Sequence, residues 1–115
     1  MKTIPVELLQ EITRRLVAEF EPEQIILFGS HAWGIPGDDS DVDLLVITAD
    51  SHDRPAQRST RAYRSLRGLM VPTDIIVKTR AEINHYRHVR ASLEGEALEH
   101  GRVLFAHTQK DRKKT

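Results

Sequence analysis

At 115 residues, 39% hydrophobic and 30% charged, the chain has the length and composition of one folded domain with a modest core, not of a disordered polymer. Lys and Arg (17) balance Asp and Glu (17), so no net charge drives the whole molecule to nucleic acid or membrane, and any electrostatic function must be local. The absence of cysteine excludes disulfides, thiol nucleophiles and cysteine-ligated zinc, and fits a reducing compartment.

The N-terminal MKTIPVELLQEITRRL has charges every few residues and no unbroken apolar stretch. It reads as neither a signal peptide nor a membrane span, so the expected location is cytoplasmic. Leu9, Ile12, Leu16 and Phe20 recur at helical spacing and predict a first helix from about Pro5 to Phe20, stopped by Glu21-Pro22-Glu23. Ile25 to Phe28 is a short apolar run ended by Gly29-Ser30, hence a first buried strand, and the Gly/Pro/Asp-rich 34–40 stretch is a loop. A second strand, Asp43 to Thr48, is apolar on both parities and should be central in its sheet.

From about Arg54 to Leu69 the pattern is helical again. Ala62, Tyr63, Leu66, Leu69 and Met70 project to one side, and Arg54, Arg58 and Arg61 to the other, which reads as a solvated face. A third strand runs from Val71 to Lys78, helical segments from Glu82 to His88 and from Val89 to His100, and a last strand from Arg102 to Phe105. The order predicts an α/β (α+β) fold, a mixed sheet of about four strands with helices mainly on one face. Residues 1–107 form the expected single domain, and 108–115 a basic, flexible tail.

The chemistry concentrates in ILFGSHAWGIPGDDSDVDLLVI, residues 26–47. Side chains at i and i+2 of a strand share a face, so Asp41 and Asp43 project together, and Asp74 shares a face with Ile76 and Lys78 in the third strand. If those strands are neighbours, three carboxylates meet. Such a cluster repels itself, and a divalent cation removes the conflict; hard oxygen donors without sulfur favour Mg²⁺. Gly29 after a strand permits close backbone approach of a ligand, and the following N–H groups with the Ser30 hydroxyl can cradle phosphate. Metal cluster and phosphate cradle together suit phosphoryl or nucleotidyl transfer with two metals.

Each part alone has a plainer reading. A lone Gly-Ser is commonly a turn, and Asp38 and Asp39 read as solvated turn residues. An EF-hand calcium loop fails because Leu44 stands where glycine is required. His85 and His88 have no third ligand placed to complete a zinc site. Lys78 could neutralise triphosphate charge, though a lysine at a strand end is commonly just exposed. The Arg-rich helix lacks the interleaved aromatics of a nucleic-acid surface.

In conjunction, Gly29-Ser30-His31-Ala32-Trp33-Gly34, Ser40-Asp41-Val42-Asp43-Leu44 and Asp74 resemble the polymerase-β-type nucleotidyltransferase superfamily, and within it the stand-alone minimal nucleotidyltransferase (MNT) domains. The resemblance implies a polymerase β palm-like fold. It implies that Asp41, Asp43 and Asp74 bind two Mg²⁺ ions, that Asp74 also acts as base or orients the acceptor, and that Gly29, Ser30 and Ser40 hold ATP. Trp33 stands where many relatives have arginine; packing under the loop is favoured over stacking on a base. The small size implies that the acceptor arrives on another macromolecule or a partner subunit. That points to a HEPN–MNT-type antitoxin that moves AMP onto a tyrosine hydroxyl of a HEPN toxin, in a homo- or hetero-oligomer. Two alternatives stand beside it: a non-catalytic antitoxin acting by complex formation, and nucleotidylation of a small-molecule hydroxyl.

Overall fold

The computed structural model describes residues 4–33, 41–86 and 93–107. The chain runs α1 (Val6–Phe20), β1 (Gln24–Phe28), α2 (Ser30–Trp33), β2 (Val42–Thr48), α3 (Pro55–Ser65), β3 (Thr73–Thr79), α4 (Arg80–Tyr86), α5 (Leu93–His100) and β4 (Arg102–Ala106). The strands form a four-stranded mixed sheet in the order β3-β2-β1-β4. β1 is antiparallel to both β2 and β4, and β2 is parallel to β3 through the α3 crossover. The mixed α/β architecture expected from the element order is therefore observed, with β2 interior to the sheet.

Strand alternation divides the core in two. Ile25, Leu27, Val42, Leu44, Val46, Ile75 and Val77 face Leu9, Ile12 and Leu16 of α1 and Ala62 and Leu66 of α3. On the opposite face Ile26, Phe28, Leu45 and Ile47 pack with Ile83 of α4 and Ala97 of α5. The two long helices thus cover one face and the two short ones part of the other. Val42 and Leu44 through Ile47 are each at most 1% exposed, which explains why β2 is apolar on both parities.

Local chemistry sets the element ends. α1 begins after Pro5 and is capped at its end by Glu21, which turns the chain away in the left-handed region (φ 45°) while its N–H bonds to Val17 O at 2.9 Å. α3 starts with Pro55 in its first turn and is shorter than the periodicity implied. Its end is held by Arg15 of α1, which donates to the carbonyls of Ser65 (3.5 Å) and Arg67 (2.8 Å), before the chain turns at Gly68 with φ +92°. β3 begins at Thr73, after Pro72, which has no N–H to offer a ladder.

One reading of the sequence is corrected here. Arg58 is not on a solvated face; it is 6% exposed. Its guanidinium donates to Asp53 O (3.2 Å), Val77 O (3.3 Å) and Glu82 Oε1 (2.7 Å). Glu82 Oε1 also accepts the Thr79 N–H (2.8 Å), while Thr79 Oγ1 accepts the Glu82 N–H (3.2 Å), a reciprocal cap on α4. Further along the same edge Tyr63 Oη accepts the Ile75 N–H at 3.1 Å. Side chains therefore occupy outward backbone groups of β3 that an edge strand would otherwise present to another chain. Tyr63 and Met70 are also off the buried side assigned to them, at 44% and 92% exposed.

Candidate active site

Three strand starts and one strand end meet at a single end of the sheet. β1 finishes at Phe28-Gly29, while β2 and β3, being parallel, both begin there. The β1–β2 pairing sets Phe28 opposite Asp43, and the β2–β3 pairing sets Asp43 beside Asp74. The Val42 N–H donates to Pro72 O at 3.0 Å and closes the two starts together. Asp41 precedes β2 and shares the face of Asp43 by alternation. That face also carries Leu45 and Ile47, so the carboxylates stand just beyond the apolar patch under α4 and α5. Asp41 and Asp74 are exposed and Asp43 is half-buried.

Gly29 supplies the floor. Its φ of +78° lies where side chains are strained, and a Cβ built there would collide with Asp43 Oδ2 and come within 3.0 Å of Asp43 Cγ. Glycine is required twice over, for the turn from β1 into α2 and for room beneath the carboxylate. The Ala32 N–H then bonds back to Gly29 O at 3.0 Å as α2 starts.

The electrostatics follow from this crowding. Burial pushes the Asp43 carboxyl above the usual range, and the charges of Asp74 and Asp41 push it further. His31 acts on Asp43 in the opposite sense. The sequence reading passed over His31; its position directly after Gly29-Ser30 was the available signal. Lys78 stands at the other end of β3 in register with Ile47, about 13 Å along the strand from Asp74. His85 is exposed. Asp38, Asp39, Ser40 and His88 lie outside the described residues, as do the tail 108–115 and the side chains of Ser30 and Trp33.

The donor set is hard oxygen throughout. Among the described residues no three Asp, Glu or His side chains form a ready-made cation cage. Mg²⁺ does not need one, because it keeps several waters and commonly takes only one or two carboxylates together with phosphate oxygens. Asp43, with Asp74 beside it and Asp41 on its face, meets that requirement chemically. Among the described residues, no helix is long and apolar enough to cross a membrane.

Comparison with known proteins agrees with this geometry. The family model described as polymerase beta, nucleotidyltransferase matches residues 10–110. No curated protein gives a significant match. Among solved structures, a putative nucleotidyltransferase from Sulfolobus solfataricus is 28% identical, with a TM-score of 0.55 over 69% of this chain and 70% of that one. A toxin–antitoxin structure with AMP-PNP has a TM-score of 0.62 at 23% identity, covering 90% of this chain and 77% of that one. An aspartate-to-glutamate double mutant of the toxin–antitoxin MntA–HpeT has a TM-score of 0.57 at 18% identity, over 96% of this chain and 80% of that one. These last two establish likeness of fold.

Proposed function

The chain belongs to the polymerase beta nucleotidyltransferase family, and from that premise we propose that it transfers AMP from ATP to a tyrosine hydroxyl of a partner protein, as the antitoxin of a HEPN-type toxin. The observation that carries the chemistry is the in-register placement of Asp43 beside Asp74, over a glycine that admits no side chain. The partner rests on different support: two of the similar folds are those of toxin–antitoxin structures, one of them with AMP-PNP.

Asp41, Asp43 and Asp74 are the residues that would hold two Mg²⁺ ions, which when bound neutralise charge on the triphosphate and on the leaving pyrophosphate. Gly29, Ser30 and Ser40 are assigned to the triphosphate, with Gly29 keeping the backbone open to phosphate. Asp74 is exposed on the edge strand β3, where an acceptor can reach it. Its carboxylate orients the acceptor hydroxyl and takes its proton. The acceptor oxygen bonds to the α-phosphorus, the bond to the bridging oxygen breaks on the opposite side, and pyrophosphate leaves. Asp43, whose charge is already disfavoured by burial and by its neighbours, gains most from a cation.

The experiment is incubation of the full chain with α-labelled ATP, Mg²⁺ and a lysate from which its own product can be recovered. The expected result is a labelled protein band carrying AMP on tyrosine, absent without Mg²⁺ and with Asp43→Asn. Label transferred equally by Asp43→Asn overturns the catalytic assignment. Neutralisation of a toxin by that variant without any transfer would instead favour an antitoxin that acts by binding alone.

A further inference from the structure

The arginines of the α3 region are used unequally by the fold. Between residues 54 and 67 there are five arginines and no Asp or Glu, in a chain of zero formal net charge. Arg58 is committed to Glu82. Arg61 bonds Glu19 and Asp53 and lies over the Phe20 ring, 4.8 Å from its centroid. Arg64 and Arg67 are exposed and have no acidic partner among the described residues. They line a shallow groove of about 480 Å³ together with Ser59, Thr60 and Tyr63.

Position makes this surface relevant to the active site. The parallel β2–β3 pair places the start of β3 at the carboxylate end, so the last turn of α3 and the 66–72 connection lie at that end too. α3 packs on the sheet face opposite the carboxylates, and the two faces meet around the β3 edge, where Tyr63, Arg64, Arg67, Met70, Pro72 and Asp74 are each exposed. Two bonds tie this region to the rest of the fold: Arg15 donates to Arg67 O just past α3, and Tyr63 Oη accepts the N–H of Ile75, the residue after Asp74.

We propose that Tyr63, Arg64, Arg67 and Met70 form the docking surface for an acidic segment of the protein acceptor, placing its hydroxyl at Asp74. The proposal rests on the protein-adenylylation reading above and names the face and charge by which that acceptor is recognised. Charge complementarity selects the occupant: the two arginines ask for carboxylates. Met, Tyr and Arg together, with a side chain as exposed as Met70, are the composition of a protein interface. A nucleic acid fits less well. Among the described residues of this patch the only aromatic is Tyr63, whose hydroxyl is already engaged, and the chain as a whole offers no net positive field.

The test uses the full chain, a fluorescent random glutamate–tyrosine copolymer as acidic acceptor, and polyuridylate of matched charge. Binding is followed by anisotropy and AMP incorporation from labelled ATP. The double variant Arg64→Glu/Arg67→Glu is compared with Arg64→Lys/Arg67→Lys; both change only exposed side chains, so unchanged thermal unfolding confirms the fold. The expected result is copolymer binding weakened about tenfold or more by charge reversal, largely retained with lysine, and decreasing as salt rises. Equal copolymer binding by wild type and the reversed variant overturns the proposal, as does failure of the wild type to bind copolymer. Tighter binding of polyuridylate than of copolymer also overturns it, in favour of a nucleic-acid surface. Copolymer bound through the arginines but never labelled leaves the docking surface standing and counts against protein adenylylation. Labelling indifferent to charge reversal does the opposite.

Discussion

Strand β3 carries charge at both ends, and the protein treats the two ends in opposite ways. At its finish, Glu82 meets Arg58 and the Thr79 N–H, so the carboxylate is matched by donors and α3, β3 and α4 are tied together. At its start, Asp74 stands beside Asp43 with Asp41 close by, and His31 acts on Asp43 in the opposite sense to them. Carboxylates serving the fold are paired within the fold. Under the proposed function, those at the mouth await a neutralising group brought from outside, which is how a site for a metal and a triphosphate would differ from a structural ion pair.

The comparison breaks first on Asp43→Asn. If the mouth is catalytic, this change lowers AMP transfer by about 10²-fold or more, by analogy with the loss of one charge-stabilising group elsewhere. It should also leave the melting temperature unchanged or higher, because a carboxylate disfavoured by burial and by two neighbours is removed. Label-transfer kinetics and thermal unfolding on the same sample decide it. Lowered stability with intact transfer would make the mouth structural.

Arg58→Met is the counterpart at the other end. It removes one partner of an ion pair whose arginine is 7% exposed and whose glutamate is 32% exposed. A fully buried pair broken this way loses 3–5 kcal/mol; the wetter glutamate reduces the expected loss to about 2 kcal/mol. Denaturant unfolding measures it. The double variant Arg58→Met/Glu82→Gln should recover part of the loss, since no unpaired charge remains. An Arg58→Met protein as stable as wild type would show that the latch contributes nothing.

Next in size is Tyr63→Phe. It leaves the Ile75 N–H without its acceptor while removing no apolar surface, and should cost about 1 kcal/mol in unfolding free energy. Because Ile75 follows Asp74, transfer should fall more through kcat than through nucleotide affinity. A variant with wild-type stability and kcat would detach Tyr63 from both roles.

How much of this was legible beforehand depends on how local each feature is. Alternation put Asp41 with Asp43 and Asp74 with Ile76, and the doubly apolar β2 announced its interior place, because a strand's faces are written every second residue. The adjacency of β2 and β3 was only a condition in that reading; the register of Asp43 with Asp74 needed the assembled sheet. Arg58 was misjudged because a helical projection sees its own helix and not Glu82, 24 residues on. Met70 was misplaced because the helix ends at Ser65 and the projection continued past it, whereas Tyr63, inside the helix, lies at the β3 edge with its hydroxyl on the Ile75 N–H. The need for glycine at position 29 was visible as a turn, whereas its collision with Asp43 was not.

The smallest expected effect is a pair of opposite tilts in stability against pH, and it tests both ends of β3 at once. Burial alone would raise the Glu82 carboxyl, but hydrogen bonds from Arg58 and the Thr79 N–H prevail and hold it below its ordinary 4.5. Its contribution is therefore present above 4.5 and lost as pH falls below that value toward the folded-state titration. Asp43 is displaced the other way, above its ordinary 3.8, so its neutral form is the favoured one in the fold. Its contribution is present below 3.8 and lost as pH rises through its folded-state titration. Melting temperatures of Glu82→Gln should accordingly depend less on pH than wild type on the acid side of 4.5, and those of Asp43→Asn less on the alkaline side of 3.8. Added Mg²⁺ should selectively remove the second tilt, because a bound cation favours the charged carboxylate that crowding opposes. If Mg²⁺ altered the Glu82 tilt and left the Asp43 tilt untouched, the assignment of the two ends would be reversed.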